Sequence, residues 1–199
     1  MSAPDLADLA IFPLNAVLFP GGLLALRVFE QRYMDMAKAC LKDDRPFGVC
    51  LIRCGKEVGA PATPEPVGCT ARIQEWDMQQ LGVLSIRTIG EQRFRIKSSA
   101  VTEAGLTRAE VELLPQDDDT ELPEEFGACA ALLKAVIEEH GSGMVAAPIR
   151  FDSSSWVSAR LTEILPVPLA AKQKLLELAD ATQRIEILNK FLQQHRLAG

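Results

Sequence analysis

The chain has 199 residues, 48% of them hydrophobic, with a formal charge of −6 and an isoelectric point near 5.1. That apolar content is enough to bury a core in one sizeable domain or two small ones, which sets disorder aside, and the acidity repels phosphate backbones and anionic lipid. No apolar stretch approaches the roughly 18 residues of a membrane span, and Met1-Ser2-Ala3-Pro4-Asp5 has neither the basic segment nor the apolar core of a signal peptide, so a cytoplasmic protein is expected.

Ile11-Phe12-Pro13-Leu14 and Leu23 to Phe29 are apolar runs parted by Phe19-Pro20-Gly21-Gly22, where proline fixes one backbone angle and glycine supplies a positive one; this predicts strand, turn, strand. From Glu30 to Leu41 the period changes: Tyr33, Met36, Ala37, Cys40 and Leu41 recur at three and four, one face of a helix. Phe47 to Arg53 is a further strand, followed by the proline-rich loop Ala60 to Pro66, which cannot join a central sheet. Cys69 to Trp76, Val83 to Ile89, Arg93 to Lys97 and Ala109 to Leu114 complete the set, with turns expected at Gln79-Gln80-Leu81-Gly82 and Gly90-Glu91-Gln92. Many short antiparallel strands predict a small closed or half-closed barrel with one inserted helix.

After Asp117-Asp118-Asp119, read as a solvated connector, the pattern turns helical. Pro123 with Glu124 and Glu125 makes a favourable first turn of a helix running to Glu139. Ser155 opens a second helix, ended by Pro166-Val167-Pro168; a third covers Leu169 to Leu178; and Asp180-Ala181-Thr182-Gln183 caps a fourth. Two subdomains are expected, 1–115 and 116–199, the first with 13 basic and 14 acidic side chains and the second with 8 and 13.

The chemistry-bearing residues do not assemble into a recognisable site. Cys40, Cys50, Cys54, Cys69 and Cys129 lack CxxC spacing and read as reduced, small hydrophobic residues; Cys50 and Cys54, four apart on a strand, stand roughly 13 Å from each other, beyond the reach of one metal ion. Ser142 between glycines lacks the G-x-S-x-G context, and His140 beside it reads as a cation at a helix end. His195 is expected to be exposed. Lys97 and Ser98, adjacent on a strand, point to opposite faces. No G-x-x-x-x-G-K-[ST] loop is present. No catalytic residue, metal ligand or cofactor is therefore assigned.

Phe12-Pro13-Leu14-Asn15-Ala16-Val17-Leu18-Phe19-Pro20-Gly21 and Leu26-Arg27-Val28-Phe29-Glu30-Gln31-Arg32-Tyr33 resemble the opening of the Lon amino-terminal domain family. Val67 to Ile73, Ile89 to Ile96, Ser155-Trp156, Leu165 to Pro168, Lys172 to Leu178 and Arg184 to Leu188 are similar to its later signatures, so the resemblance covers nearly the whole chain in order. It implies an α+β fold: a PUA-like antiparallel barrel with one inserted helix, then a four-helix carboxyl-terminal subdomain. It further implies a stand-alone, non-catalytic module that contacts unfolded or extended polypeptide, with an adaptor role in ATP-dependent proteolysis as the finer expectation, since the family's ATPase and serine–lysine peptidase modules lie elsewhere. Fold alone does not carry function. A hydrolase with an unrecognised site and a PUA-like RNA binder stand as alternatives, the latter opposed by the net charge.

Residue alternation nominates the binding surface. Along Cys69 to Trp76, Ala71 and Ile73 mark the inner face, leaving Arg72 and Trp76 on the outer one, where cover by the chain itself is expected for the indole. Phe94 and Ile96 point to the core while Arg93, Arg95 and Lys97 share a positive outer face. Phe19, at a turn and with core packing as the first expectation, joins Arg72, Trp76, Arg93 and Arg95 as candidate peptide-binding residues, with a groove between barrel and helices or an exposed sheet edge as the receptor. Nucleic acid and membrane are not expected partners, and a monomer or weak dimer is.

Overall fold

The structure, a computed structural model, describes residues 5–195. It divides into two compact units at Pro115 and Gln116.

The first unit contains β1 (Asp5–Leu14), β2 (Leu23–Val28), α1 (Gln31–Asp43), β3 (Phe47–Cys54), β4 (Thr63–Pro64), β5 (Val67–Gln80), β6 (Val83–Val101) and β7 (Thr107–Leu113). Neighbours run β1, β7, β6, β5, β3, and a parallel pairing of β1 with β3, from Ile11 opposite Gly48 to Leu14 opposite Leu51, closes the ring. A parallel pair needs a long crossover, which β2 and α1 supply. β4 is a two-residue strand at the edge of β3, the place where a ladder tolerates proline. β2 pairs with the first half of β6 alone among the described residues.

One expectation is corrected here. The predicted turn at Gly90-Glu91-Gln92 does not form, and β6 runs unbroken for 19 residues. Gly90 serves a close backbone approach instead. A Cβ there would stand 2.2 Å from the Phe19 carbonyl oxygen; Gly21 N–H donates to the Gly90 carbonyl at 2.7 Å and Gly90 N–H to Gly22 at 2.9 Å. Glycine inside a strand marks such contacts as readily as turns.

β1 and β3 are apolar on both faces. Leu9 and Ile11 join Cys50, Phe94, Val111 and Leu113 in one cluster, and Ala10, Phe12 and Leu14 join Phe47, Val49, Ala71, Leu84 and Ile86 in a larger one under the buried face of α1. Phe12 and Tyr33 stack at 3.9 Å between ring centroids inside it. Two-sided burial explains why these strands read as continuous apolar runs.

The second unit begins its helices with a 3₁₀ turn, Glu124–Phe126, feeding α2 (Gly127–His140). α3 (Ser154–Ile164) is capped by Ser153, whose hydroxyl accepts from Trp156 N–H at 3.1 Å. α4 covers Leu169–Glu177, and α5 (Ala181–Gln194) is capped by Asp180, which accepts from Thr182 and Gln183 N–H at 2.8 and 3.1 Å. Serine and aspartate at these positions satisfy amides that the first helical turn leaves open.

The reading of Asp117 to Asp119 as a solvated connector is also corrected. Asp117 pairs with the buried guanidinium of Arg184, which donates from Nε to Ser158 Oγ at 2.9 Å and from Nη1 to the Leu178 carbonyl at 3.1 Å. Asp119 pairs with Arg150; hydrogen bonding from Ser153 and that guanidinium hold its carboxyl below the usual carboxylate range. Two of the three aspartates thus anchor the helical unit.

Candidate functional site

The sheet formed by β2, β6 and β5 has one charged and one apolar face, and pairing register decides which side chain goes where. Directly opposed residues of an antiparallel pair share a face. Ala25, Arg87 and Glu75 form one row and Arg27, Ser85 and Asp77 the next, with Arg87 and Glu75 in ion-pair contact at 3.6 Å. On the opposite face Leu24, Thr88 and Ile73 align, followed by Leu26, Ile86 and Trp76. Leu24, Leu26 and Ile73 pack against the larger core cluster.

Trp76 thus lies on the face of Ile86, not with Arg72 and Gln74 as simple alternation predicts. The cause is a register shift between Ile73 and Glu75: one extra residue in β5 resets the alternation, the ordinary effect of a β-bulge. The expected cover is absent as well, for Trp76 is 60% exposed. Beyond it, Met78 is exposed and Leu81, at the hairpin tip between Gln80 and Val83, is 96% exposed. Large apolar side chains left together in water mark contact sites.

Two recesses meet at β2. One, of about 540 Å³, is lined by Leu26, Trp76 and Ile86 from the apolar rows and by Ala25, Arg27, Glu75, Asp77, Ser85 and Arg87 from the charged ones. The other, of about 200 Å³, borders Leu26, Val28, Phe29, Tyr33, Ala16 and Val58. Phe29 and Val58 are exposed there. The loop that carries Val58 is tied down by two carboxylates: Glu57 accepts from Asn15 N–H at 2.5 Å, and Glu30 accepts from Gly59 N–H at 3.3 Å and from Arg32 at 3.0 Å.

The five nominated residues do not converge. Phe19 is 1% exposed and belongs to the core, so it presents no surface. Arg93 is 3% exposed and donates to the Pro115 carbonyl at 3.1 Å; it keeps the expected face but is covered there, while Arg95 and Lys97 remain exposed. Arg72 is held by Glu91 at 2.5 Å and by Asp44 at 2.7 Å, which raise its pKa, the Glu91 hydrogen bond most. Arg95 opposes Val67, nine residues along β5 from Trp76, or roughly 30 Å of extended chain. Trp76 alone of the five sits on the apolar surface. The edge strand β2 and the hairpin tip were missed, because one exposed leucine in a turn is no signal by itself and the open edge of β2 emerges only from the strand pairing.

His140 Nδ1 lies 3.1 Å from the Val136 carbonyl, and His195 Nδ1 lies 2.9 Å from that of Phe191, both turned back on their own helices. Burial pushes the thiols of Cys50 and Cys129 up, the latter to about 11. Among the described residues no three His, Cys, Asp or Glu side chains are grouped to hold a metal ion, and no helix is long and apolar enough to cross a membrane.

A family model described as the ATP-dependent protease La (LON) substrate-binding domain matches residues 8–194. The chain is 28% identical over 196 residues to Lon protease 2 of Myxococcus xanthus, an alignment covering 94% of this chain and 24% of that protein. It therefore spans about a quarter of the length of such relatives. A solved Lon N-terminal domain protein from Xanthomonas campestris superposes with a TM-score of 0.77 and 35% identity, over 93% of this chain and 98% of that one. The N-terminal domain of Mycobacterium avium complex Lon protease shares the fold at TM-score 0.66 and 19% identity, over 94% and 99%.

Proposed function

Because the chain belongs to the family of ATP-dependent protease La (LON) substrate-binding domains, we propose that it works as a non-catalytic module that holds unfolded or extended polypeptide and presents such clients to a separate, nucleotide-driven protease. The observation that carries this reading is the exposed apolar stretch Trp76, Met78 and Leu81, continuous through Trp76 with the row Ile86 and Leu26. A largely exposed tryptophan at the end of an apolar row is of the residue type that most often dominates a protein contact. Its five free cysteines, four of them buried, fit a reducing compartment such as the cytoplasm.

The test uses the intrinsic fluorophore. In a Trp156→Phe background, Trp76 emission is followed while a reduced, carboxymethylated protein is titrated in. A saturable change with micromolar or weaker affinity is expected, as for segments that lose conformational freedom on binding, and Trp76→Ala should weaken capture about tenfold. A flat titration at high concentration sinks the reading. For the adaptor role, a nucleotide-driven unfoldase must be retained from native extract by the wild type and not by the variant that no longer captures client.

A further inference from the structure

β2 is an edge strand whose outward main-chain groups can be assigned. Gly90 N–H donates to the Gly22 carbonyl at 2.9 Å, which fixes the parity of the ladder. With Leu23 opposite Ile89 and Val28 opposite Leu84, the residues that exchange hydrogen bonds with β6 are Leu24, Leu26 and Val28. The N–H and C=O groups of Leu23, Ala25 and Arg27 point away from β6, and β2 has no second strand partner among the described residues. Only another extended backbone presents donors and acceptors at that alternating spacing.

Side chains next to this edge define what kind of backbone fits. Leu26 and Val28 flank the smaller recess with Phe29, Val58 and Tyr33, so one face of an added strand meets apolar surface. The nearby charges are already matched: Arg87 with Glu75, Glu30 with Arg32, and Glu57 with the Asn15 amide. Arg27 places a cation on the edge itself, in contact with the neutral Gln80 at 3.4 Å. A lysine-rich segment is therefore disfavoured, and an apolar or mildly acidic one is complementary.

We propose that the outward edge of β2, at Leu23, Ala25 and Arg27, receives an extended, cation-poor substrate segment as an added antiparallel or parallel strand, with alternate apolar side chains lying against Leu26, Phe29 and Val58. This rests on the polypeptide-binding reading above and names its mode. Main-chain pairing supplies sequence-tolerant affinity, and the recess supplies the preference for an apolar residue at every second position.

The experiment uses the full chain and blocked heptapeptides that alternate valine with serine, the alternation fixing which face meets the protein. Two analogues carry N-methyl groups on alternate amides, one on the valine amides and one on the serine amides. Loss of at least about tenfold for one analogue, with the other within about twofold of the parent, is expected, since two or more hydrogen bonds go with one set only. Ala25→Pro removes an outward N–H without touching the β6 ladder and should cost about as much, with unchanged circular dichroism and thermal transition; should that variant misfold, the peptide pair on wild-type protein still decides. If both analogues bind like the parent while Trp76→Ala loses binding, strand addition is wrong and the polypeptide-binding reading stands. If neither peptide nor denatured protein binds, both fall. A concentration-dependent dimer that Ala25→Pro dissociates would assign the edge to a second copy of this chain and overturn the proposal.

Discussion

In the barrel unit the largest fully buried side chains are Phe19, Phe47, Phe94, Ile11, Leu84 and Ile86, whereas in the helical unit the two largest are Arg160 and Arg184. The first unit closes through main-chain pairing around a ring of strands and fills its space with apolar groups, so its penalties for change are steric. The second has short helices and a guanidinium at its centre that ties α3, the Leu178 carbonyl and Asp117 together, so its penalties are electrostatic. A buried ion pair is weak support for stability in itself, but removing one partner strands the other without water.

Four outcomes break or sharpen that contrast. Arg184→Ala should have the largest effect, a loss of about 3–5 kcal/mol in urea unfolding, and replacing Arg184 by Met together with Asp117 by Leu should recover most of it; a loss below about 1 kcal/mol for the single change would remove the distinction between the units. Next is Gly90→Ala, where a methyl group would press on the Phe19 carbonyl, with an expected loss of about 1–3 kcal/mol. Thiol labelling under native conditions should then give one fast cysteine, Cys54, the exposed one. Labelling of Cys129, against that of Cys40 and Cys50, reports which unit opens first, since burial raises the pKa of all three thiols and thiolates form on opening. The smallest effect belongs to Asp8, which pairs with Arg108 near the surface and whose carboxyl is held below its usual value mainly by that hydrogen bond. Such a group contributes stability above the unfolded pKa near 3.8, and the contribution is lost as pH falls through the lower folded value. The unfolding free energy of Asp8→Asn in urea should therefore sit slightly below wild type at neutral pH, within about 1 kcal/mol, and the gap should vanish in strong acid.

What the sequence made legible was local. Short apolar runs located β2, β3, β7 and the end of β1, the three-and-four spacing located α1, and Asp180 announced its cap, because each signal lies within one turn or one pleat of its effect. The misses come from partners far along the chain. Asp117 reads as a solvated carboxylate until Arg184 arrives from 67 positions away, and Gly90 reads as a turn until the Phe19 carbonyl is laid on it. Arg93 follows the expected alternation, yet its side chain is covered and bonded to the Pro115 carbonyl, a contact that strand periodicity does not encode. For the site, Trp76 was singled out for the right reason, an indole needing an explanation, but was placed on the wrong face because alternation cannot reveal an extra residue in a ladder.

That extra residue between Ile73 and Glu75 offsets the sequence phase of everything downstream in the hairpin. Dropping Gln74 would take out the bulge and its bend while leaving Glu75 opposite Arg87 and Trp76 opposite Ile86, so the strand would straighten with the indole still on the apolar row. Insertions and deletions, more than substitutions, are then the mutational route by which a lineage would gain or erase this feature. Relatives that lack it should be sought among chains whose length differs by one at that point.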